Sequence, residues 1–431
     1  MFNKEKIIKN ASWIVGARVV QSVLSLFISM ITARYLGPSN FGIINYAASI
    51  VAFVIPIMHL GLTSILVQEF VDKPTEEGKI LGTSLVTCFF SSLLCFAGVI
   101  CFTFIANVNE NEVIVVCLLY SLLIFAQVFD VFGYWFQAHL LSKYTSLISL
   151  GAYVFVSIYK IFLLVNGKSV RWFAISNSLD YFIIAFFLYI FYKRIGGQKL
   201  MFSRDLFLIM FNKSKYYIIA DLMVAVFAQT DRIMLKLMLD ESATGFYSAA
   251  LNCAGVTNFI FAAIIDSGRP SIFECKKNNQ KAFENNICRL YTIIFYLSLI
   301  QSLIIFLLSD LIILILYGEA FLPASAALKI VTWYSAFSYL GSVRNIWMLA
   351  ENKQRMIWII NVSGAIANIL LNFILIPLWG ILGAASASLI TQIFTNVIMG
   401  WIIKDIRVNN KLMIKALTLN SVKNVLKLLK K

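Results

Sequence analysis

The chain has 431 residues, of which 60% are hydrophobic and only 13% charged. A soluble domain of average composition is roughly 25% charged and 45–50% apolar, so these values exclude a soluble globular enzyme and point to an integral membrane protein. The net charge of +15 does not call for nucleic acid, because a polytopic protein gathers its cationic excess in cytoplasmic loops.

Apolar runs of about 20 residues suffice to cross a bilayer at ~1.5 Å rise per residue. They predict about 12 spans, near 10–34, 41–69, 80–106, 113–138, 145–165, 171–193, 214–239, 244–268, 290–317, 323–350, 357–377 and 379–403. The run after the basic opening MFNKEKIIKN is too long for a signal peptide and lacks a small-residue cleavage site, so it reads as a retained first span. In span 1, Arg18, Gln21, Ser22, Ser25, Ser29 and Thr32 share one helical face, with aliphatic residues and Phe on the others. A charge at a helix centre costs ~2.5–3.5 kcal/mol on insertion scales unless it faces protein or water. Arg18 therefore implies either a partly hydrated interior or a packing seam in which a neighbouring carbonyl or carboxylate, Asp221 for one, holds it.

Span 2 carries a second stripe, Asn45, Ser49, Ala52, Pro56, His59 and Thr63, with Pro56 as a hinge. Further charges fall within spans: Lys160, Arg232, Lys236, Lys329 and Arg344, and the acids Asp130, Asp180, Asp221, Asp231 and Asp266. Lys236 and Lys329 lie near helix ends, where snorkelling explains them. Span 11 shows a small and amide-bearing stripe, Asn361, Gly364, Ala365, Asn368 and Asn372. The seven cysteines have no CxxC spacing, and His59 and His139 are the only histidines, so neither a disulfide framework nor a metal site is expected. No Walker-type glycine loop is present and no cofactor is expected. The last stretch, IRVNNKLMIKALTLNSVKNVLKLLKK, is basic and amphipathic and reads as a solvated end resting on anionic head groups.

Twelve spans put both termini on one side. The loops on that side hold Lys73, Lys79, Lys143, Lys193, Arg194, Lys199, Arg204, Arg269, Lys276, Lys277, Arg289, Lys353 and Arg355, whereas the opposite loops hold Arg34, Lys168 and Arg171. This asymmetry places both termini in the cytoplasm. The two halves also match each other. At an offset of 203 residues FGIINYAASI falls on TGFYSAALNC, and Asn45 and Ser49 on Ser248 and Asn252. At an offset of 212, Trp135 falls on Trp347, Ala138 on Ala350 and Lys143 on Arg355. Six spans per half, both starting in the cytoplasm, predict a parallel repeat about an axis along the membrane normal. The expected division is an N-terminal lobe at 1–200, a C-terminal lobe at 201–404 and a basic cytoplasmic tail at 405–431.

Several segments now recur in a known order: ARYLGPSNFGIINYA, YWFQAHLLSKY, QTDRIMLKLMLDESATGFYSAA, YGEAFLPAS and NILLNFILIPLWGILGAASASLIT. Together they cover nearly the whole chain, which resembles the Wzx-type polysaccharide repeat-unit (O-antigen or capsule) flippases. That family belongs to the superfamily of MATE-type multidrug exporters and the lipid II flippase. The resemblance implies an all-α polytopic fold, V-shaped and MATE-like, of two six-helix lobes. It also implies translocation of an undecaprenyl-pyrophosphate-linked oligosaccharide across the bacterial inner membrane, by alternating access coupled to H+ or Na+ antiport. Membrane lipid and other polysaccharide-assembly proteins are the implied partners.

Such a substrate needs cations for its phosphates and hydroxyl or amide groups for its sugars. Arg18, Arg232 and Arg344 offer the planar fork that suits phosphate oxygens, with Lys160 beside them. Ser22, Ser25, Asn45, Asn252, Asn368 and Asn372 are the candidates for sugar. Asp180, Asp221, Asp266 and His59 are the candidates for ion coupling, since a carboxyl switches between protonated and paired states as its surroundings change. Two other classes compete. A drug exporter of the same fold wants acidic or aromatic walls, which the three arginines oppose. A polymerase or other membrane enzyme brings a long loop or a catalytic domain, and no loop here is long enough to hold one.

Overall fold

The computed structural model describes the backbone of residues 4–418 and the side chains of residues 13–418 apart from Asn278. Packing divides the chain into two compact units, Met1–Ile233 and Met234–Lys431. The described residues contain helices and no strand, as expected where every backbone group must be satisfied within lipid.

The first unit opens with α1 (Lys4–Met58), whose Gly37 leaves helical geometry at φ 73°, ψ 173° just before Pro38. Its apolar part, Trp13–Met58, is 46 residues long, about 69 Å of helix against a ~30 Å hydrocarbon core. It therefore holds the first two expected spans, with Gly37–Pro38 as the turn between them. Tyr35 Oη donates to the Lys168 carbonyl at 3.1 Å and fastens that turn to another connection on the same side. The second span stops at Met58 instead of running to residue 69, so Pro56 ends a helix rather than hinging one. Short α2 (Leu66–Asp72) follows, then α3 (Glu77–Ala106). The fourth span is broken into α4 (Asn111–Ser121), α5 (Leu123–Gln127), a 3-10 turn at Val128–Asp130 and α6 (Val131–Ala138). Next come α7 (Ser142–Val165) and α8 (Val170–Arg194).

The connection to α9 (Arg204–Met238) is strapped across the start of α3. Gln198 accepts from the Gly78 amide at 3.0 Å, Met201 N donates to the Gly78 carbonyl at 3.1 Å, and Ser203 N donates to Thr83 Oγ1 at 3.0 Å. Gly82 allows this approach, since a Cβ there would lie 2.5 Å from the Met201 carbonyl oxygen. The first half of α9 is then held by the segment around α2. Ser214 Oγ donates to the Leu60 carbonyl at 2.8 Å, and buried Glu69 takes ion pairs from Lys213 at 2.5 Å and Lys73 at 3.2 Å. The limit between units consequently falls inside α9, beyond the 200/201 limit read from hydropathy.

Burial pushes the Glu69 carboxyl up, but the hydrogen bonds and charges of Lys213 and Lys73 outweigh it and hold the group below the ordinary carboxylate range. A depressed folded value means that the stabilisation is complete above the unfolded value of about 4.5 and is lost as pH falls through the lower folded one. Both lysines are partly exposed, so the pairs contribute only about 1 kcal/mol. Glu69→Gln should therefore lower the unfolding midpoint in detergent at pH 7. The two proteins should converge below about pH 4, and a difference that persists there would show that shape rather than charge is responsible.

The second unit contains α10 (Glu241–Gly255) and α11 (Asn258–Asn278), bent by 43° at their junction. It continues with α12 (Gln280–Tyr317), α13 (Ala324–Ala350), α14 (Gln354–Trp379) and α15 (Ile381–Ile393). A π-helical turn at Phe394–Ile398, α16 (Met399–Ile402) and α17 (Arg407–Ala416) complete it. Among the described residues eight helices are long and apolar enough to span, nine when the bent α10–α11 pair counts as one. α1 is long enough to cross twice, and α9 and α13 coincide with the two other expected spans without being among these helices.

The repeat reappears as matching turns. At the end of α6, Leu140 N donates to the Gln137 carbonyl and Leu141 N to that of Phe136, and 212 residues on Asn352 N donates to Leu349 and Lys353 N to Met348. Leu140 and Asn352 both have φ 56°. One correction concerns the tail. Its first part, α17, is not a solvated end: Asn409, Asn410, Leu412, Met413 and Ala416 are buried. Asn409 bonds Tyr291, and Thr292 Oγ1 donates to the Ala416 carbonyl at 3.0 Å. Residues 419–431 lie outside the described residues.

Candidate functional site

On the first half of α1 two faces are exposed, and they differ in chemistry. Val20, Val23, Phe27 and Ile31 form an apolar face. At 100° per residue the stripe of Arg18, Ser22, Ser25 and Ser29 lies about 180° from it. Arg18 and Ser22 are exposed and Ser25 is half-buried, its Oγ donating to the Ser22 carbonyl at 2.9 Å. A helix with an apolar face for lipid and an exposed cationic face opposite suits a boundary between lipid and a hydrated interior.

Ser25 is also within hydrogen-bonding reach of Tyr153 on α7, and Tyr153 within electrostatic reach of Asp180 on α8. Lys160, two turns beyond Tyr153 on α7, donates from Nζ to Asn177 Oδ1 at 2.9 Å and faces Asp180. Asp180 Oδ1 is buried without a hydrogen-bond partner among the described residues. Tyr120 stands within reach of Asp180, Tyr181 and Arg232. Arg232 NH1 in turn donates to Gln229 Oε1 at 2.9 Å, the same oxygen that accepts from Ser49 Oγ at 3.0 Å. The first unit thus links Ser25, Tyr153, Lys160, Asn177, Asp180, Tyr120 and Arg232 in one intramembrane network, while Arg18 and Ser22 lie on the same face of α1 as Ser25. Asn45 lies half-buried beside Ser49, with its amide donating to the Phe41 carbonyl at 2.8 Å.

The other residues named from the sequence stand apart from this network. His59 is buried just past the end of α1, its Nδ1 without a partner among the described residues. Asp221 is half-buried on α9, where it shares the surroundings of Tyr134 with Asp130. In the second unit, Arg344 is only 4% exposed. Its NH1 donates to the Thr395 carbonyl at 2.6 Å, in the π-helical turn, and its NH2 to Asn345 Oδ1 at 3.2 Å. Asn368 and Asn372 are buried, bonded to each other at 3.1 Å, with Asn368 Nδ2 donating to Ser388 Oγ at 3.4 Å. Asn252 is half-buried on α10. Asp266 is exposed and paired with Arg269 at 3.2 Å. Lys236 is buried against Glu241 at 3.1 Å, and Lys329 pairs with Asp310 at 3.0 Å. No group of three or more His, Cys, Asp or Glu side chains gathers as a metal site among the described residues.

Sequence reading missed Asn177, Tyr120, Tyr153 and Tyr181. Tyr153, Ser157 and Lys160 recur at helical spacing on α7, and Asn177 precedes Asp180 by one turn on α8. That periodicity was available as a signal.

Helices that cross the membrane repeatedly, in two packed units with an internal repeat and an ionisable interior, define a polytopic membrane protein of transporter architecture. The fold is that of MATE transporters and the lipid II flippase. It matches the inward closed lipid II flippase MurJ with a TM-score of 0.76 at 15% identity, over 95% of this chain and 90% of that one. It matches an inward-facing multidrug resistance MATE family transporter with a TM-score of 0.68 at 12% identity, over 92% and 96%. Residues 7–276 match the family described as polysaccharide biosynthesis protein, and the chain belongs to that family. A putative O-antigen transporter of Shigella flexneri is 21% identical over 413 residues, 92% of this chain and 97% of that protein. A probable low-salt glycan biosynthesis flippase of Haloferax volcanii is 26% identical over 180 residues, 42% of this chain and 38% of that one. The relatives are named as transporters and flippases, not enzymes.

Proposed function

We propose that this protein flips an undecaprenyl-pyrophosphate-linked oligosaccharide from the cytoplasmic to the outer leaflet of a bacterial inner membrane by alternating access. The observation that carries the reading is Arg18, exposed on the polar face of a crossing helix opposite its apolar face. A saccharide head group cannot traverse ~30 Å of hydrocarbon unaided, because each unpaired polar group there costs several kcal/mol. Arg18 and Arg232 supply guanidinium forks for the two phosphates, with Lys160 as a third cation. Ser22, Ser25 and Asn45 supply hydroxyl and amide groups for sugars. Arg344, Asn368 and Asn372 bond within the second unit, and the proposed phosphate and sugar contacts do not include them. The basic loops support cytoplasmic termini, and the named relatives support a lipid-linked saccharide as cargo.

Asp180 is the coupling group in this proposal. It faces Lys160 from a half-buried position, so the pair can exchange a proton or admit H+ or Na+ as access alternates. The test is flipping of a lipid-linked saccharide in vesicles. Dissipating the proton and sodium gradients should slow the native protein at least tenfold, and Asp180→Asn should be slow with or without gradients. Undiminished flipping without either gradient would remove the coupling, and absence of any flipping activity would remove the cargo.

A further inference from the structure

We infer that the outer face of α17 is a docking surface for anionic phospholipid head groups on the side of the membrane where the helix emerges. The helix begins five residues after α16, the end of the last crossing, so it lies at the membrane boundary. At 100° per residue Asn409, Asn410, Leu412, Met413 and Ala416 fill one arc, which is buried. The remaining arc is exposed and reads, in angular order, Ile414, Arg407, Lys411, Lys415 and Val408. Three cations at i, i+4 and i+8 thus occupy about 80° of surface, edged by an aliphatic side chain on each flank.

That order is what an interfacial helix needs. The aliphatic edges enter the acyl boundary while the cationic stems reach phosphate oxygens. Exposed Trp401 and Ile402, one turn earlier, extend the apolar margin. α17 itself carries no acidic side chain, and Glu284 of α12 shares the surroundings of Cys288 with Lys415. The helix is also fixed in orientation before any lipid arrives. Asn410 Nδ2 donates to the Val397 carbonyl at 2.7 Å, Asn409 Nδ2 to Tyr291 Oη at 3.0 Å, and Tyr296 Oη to the Leu417 carbonyl at 2.9 Å. Arg407 Nε donates to the Trp401 carbonyl at 2.8 Å, which holds the first cation of the stripe in place. A helix already fixed in orientation leaves only side-chain freedom to be lost on meeting a charged surface.

The experiment compares the full-length purified protein with a variant carrying Arg407→Gln, Lys411→Gln and Lys415→Gln, and with a second carrying Lys411→Arg and Lys415→Arg. Phosphatidylglycerol, phosphatidylcholine or inorganic phosphate is added in detergent. Retained lipid is counted by native mass spectrometry and the unfolding midpoint is recorded. Phosphatidylglycerol should bind and stabilise the native protein and the arginine variant alike. The glutamine variant should lose about fivefold in lipid affinity per cation removed, on the order of a hundredfold for three. Equal retention of phosphatidylglycerol by the glutamine variant would overturn the inference and leave the face for a protein partner. Stabilisation by inorganic phosphate or phosphatidylcholine as strong as by phosphatidylglycerol would overturn it as well.

Discussion

Arg18→Ala is expected to abolish surface polysaccharide while leaving the protein in the membrane at its normal level. Two physical facts separate these outcomes. Arg18 is exposed on α1, and a substitution at an exposed site without a special role changes stability by about 0.5 kcal/mol or less. The fold therefore does not depend on this guanidinium. In the proposed cycle it is the first cation on the polar face of α1 to meet pyrophosphate, and a charge-assisted hydrogen bond contributes about 1.5–3 kcal/mol. Losing it slows flipping roughly 10- to 100-fold by that estimate, enough to starve polymer assembly outside. Arg18→Lys should recover part of the rate, because it restores charge without the planar fork. The check is polysaccharide display in cells beside the vesicle assay, with the variant's abundance measured in the same membranes. Full display by the alanine variant would take Arg18 out of the mechanism.

How far the sequence reaches toward this site is set by what periodicity reports. A stripe at 3.6-residue spacing reveals that a helix has a polar face, and it located Arg18, Ser22 and Ser25 together. Matching at a fixed offset revealed the repeat, whose register is visible in the shared φ of 56° at Leu140 and Asn352. Periodicity does not reveal what covers a face. Arg344 reads from the sequence like Arg18, yet one is buried against a carbonyl of a π-helical turn and the other is exposed. A π turn arises from packing and has no residue signature of its own. The basic stretch after span 12 showed its amphipathic character plainly, but the buried arc meets Tyr291 and Thr292, more than a hundred residues away in sequence. His59 was placed on a helical stripe because the apolar run continues past Met58, while the chain leaves the helix there and turns at Leu60 and Gly61, with φ 53° and 66°. In each case the local pattern was legible and the long-range partner was not.

Glu77→Ala should cause a large loss of stability in the first unit. Glu77 is buried in the first turn of α3. One carboxylate oxygen accepts from Trp135 Nε1 at 2.7 Å, and the other lies 3.1 Å from His139 Nε2. His139 Nδ1 is 2.9 Å from the Trp135 carbonyl, and the two ring centres lie 4.3 Å apart at a 35° tilt. Trp135 also packs edge-on against Phe136 and Tyr192. The YWFQAH segment thus encloses one carboxylate, and removing that acceptor leaves a buried indole N–H and an imidazole facing an empty position. Breaking a buried pair from one side costs about 3–5 kcal/mol. His139 is 36% exposed on its side chain, so water relieves part of the loss and the lower end of that range applies. Glu77→Gln should cost less, about 1 kcal/mol, because the amide oxygen still accepts from Trp135. The second unit supplies an internal control. There Glu351, at the register position of His139, pairs with Lys276, so the polarity is reversed. Glu351→Ala should cost less than Glu77→Ala, since both Glu351 and Lys276 are partly exposed. Unfolding midpoints in detergent, read through tryptophan fluorescence, rank the variants. If Glu77→Ala and Glu77→Gln unfold at the same midpoint as the native protein, the carboxylate is not what holds the adjoining ends of α3 and α6 together.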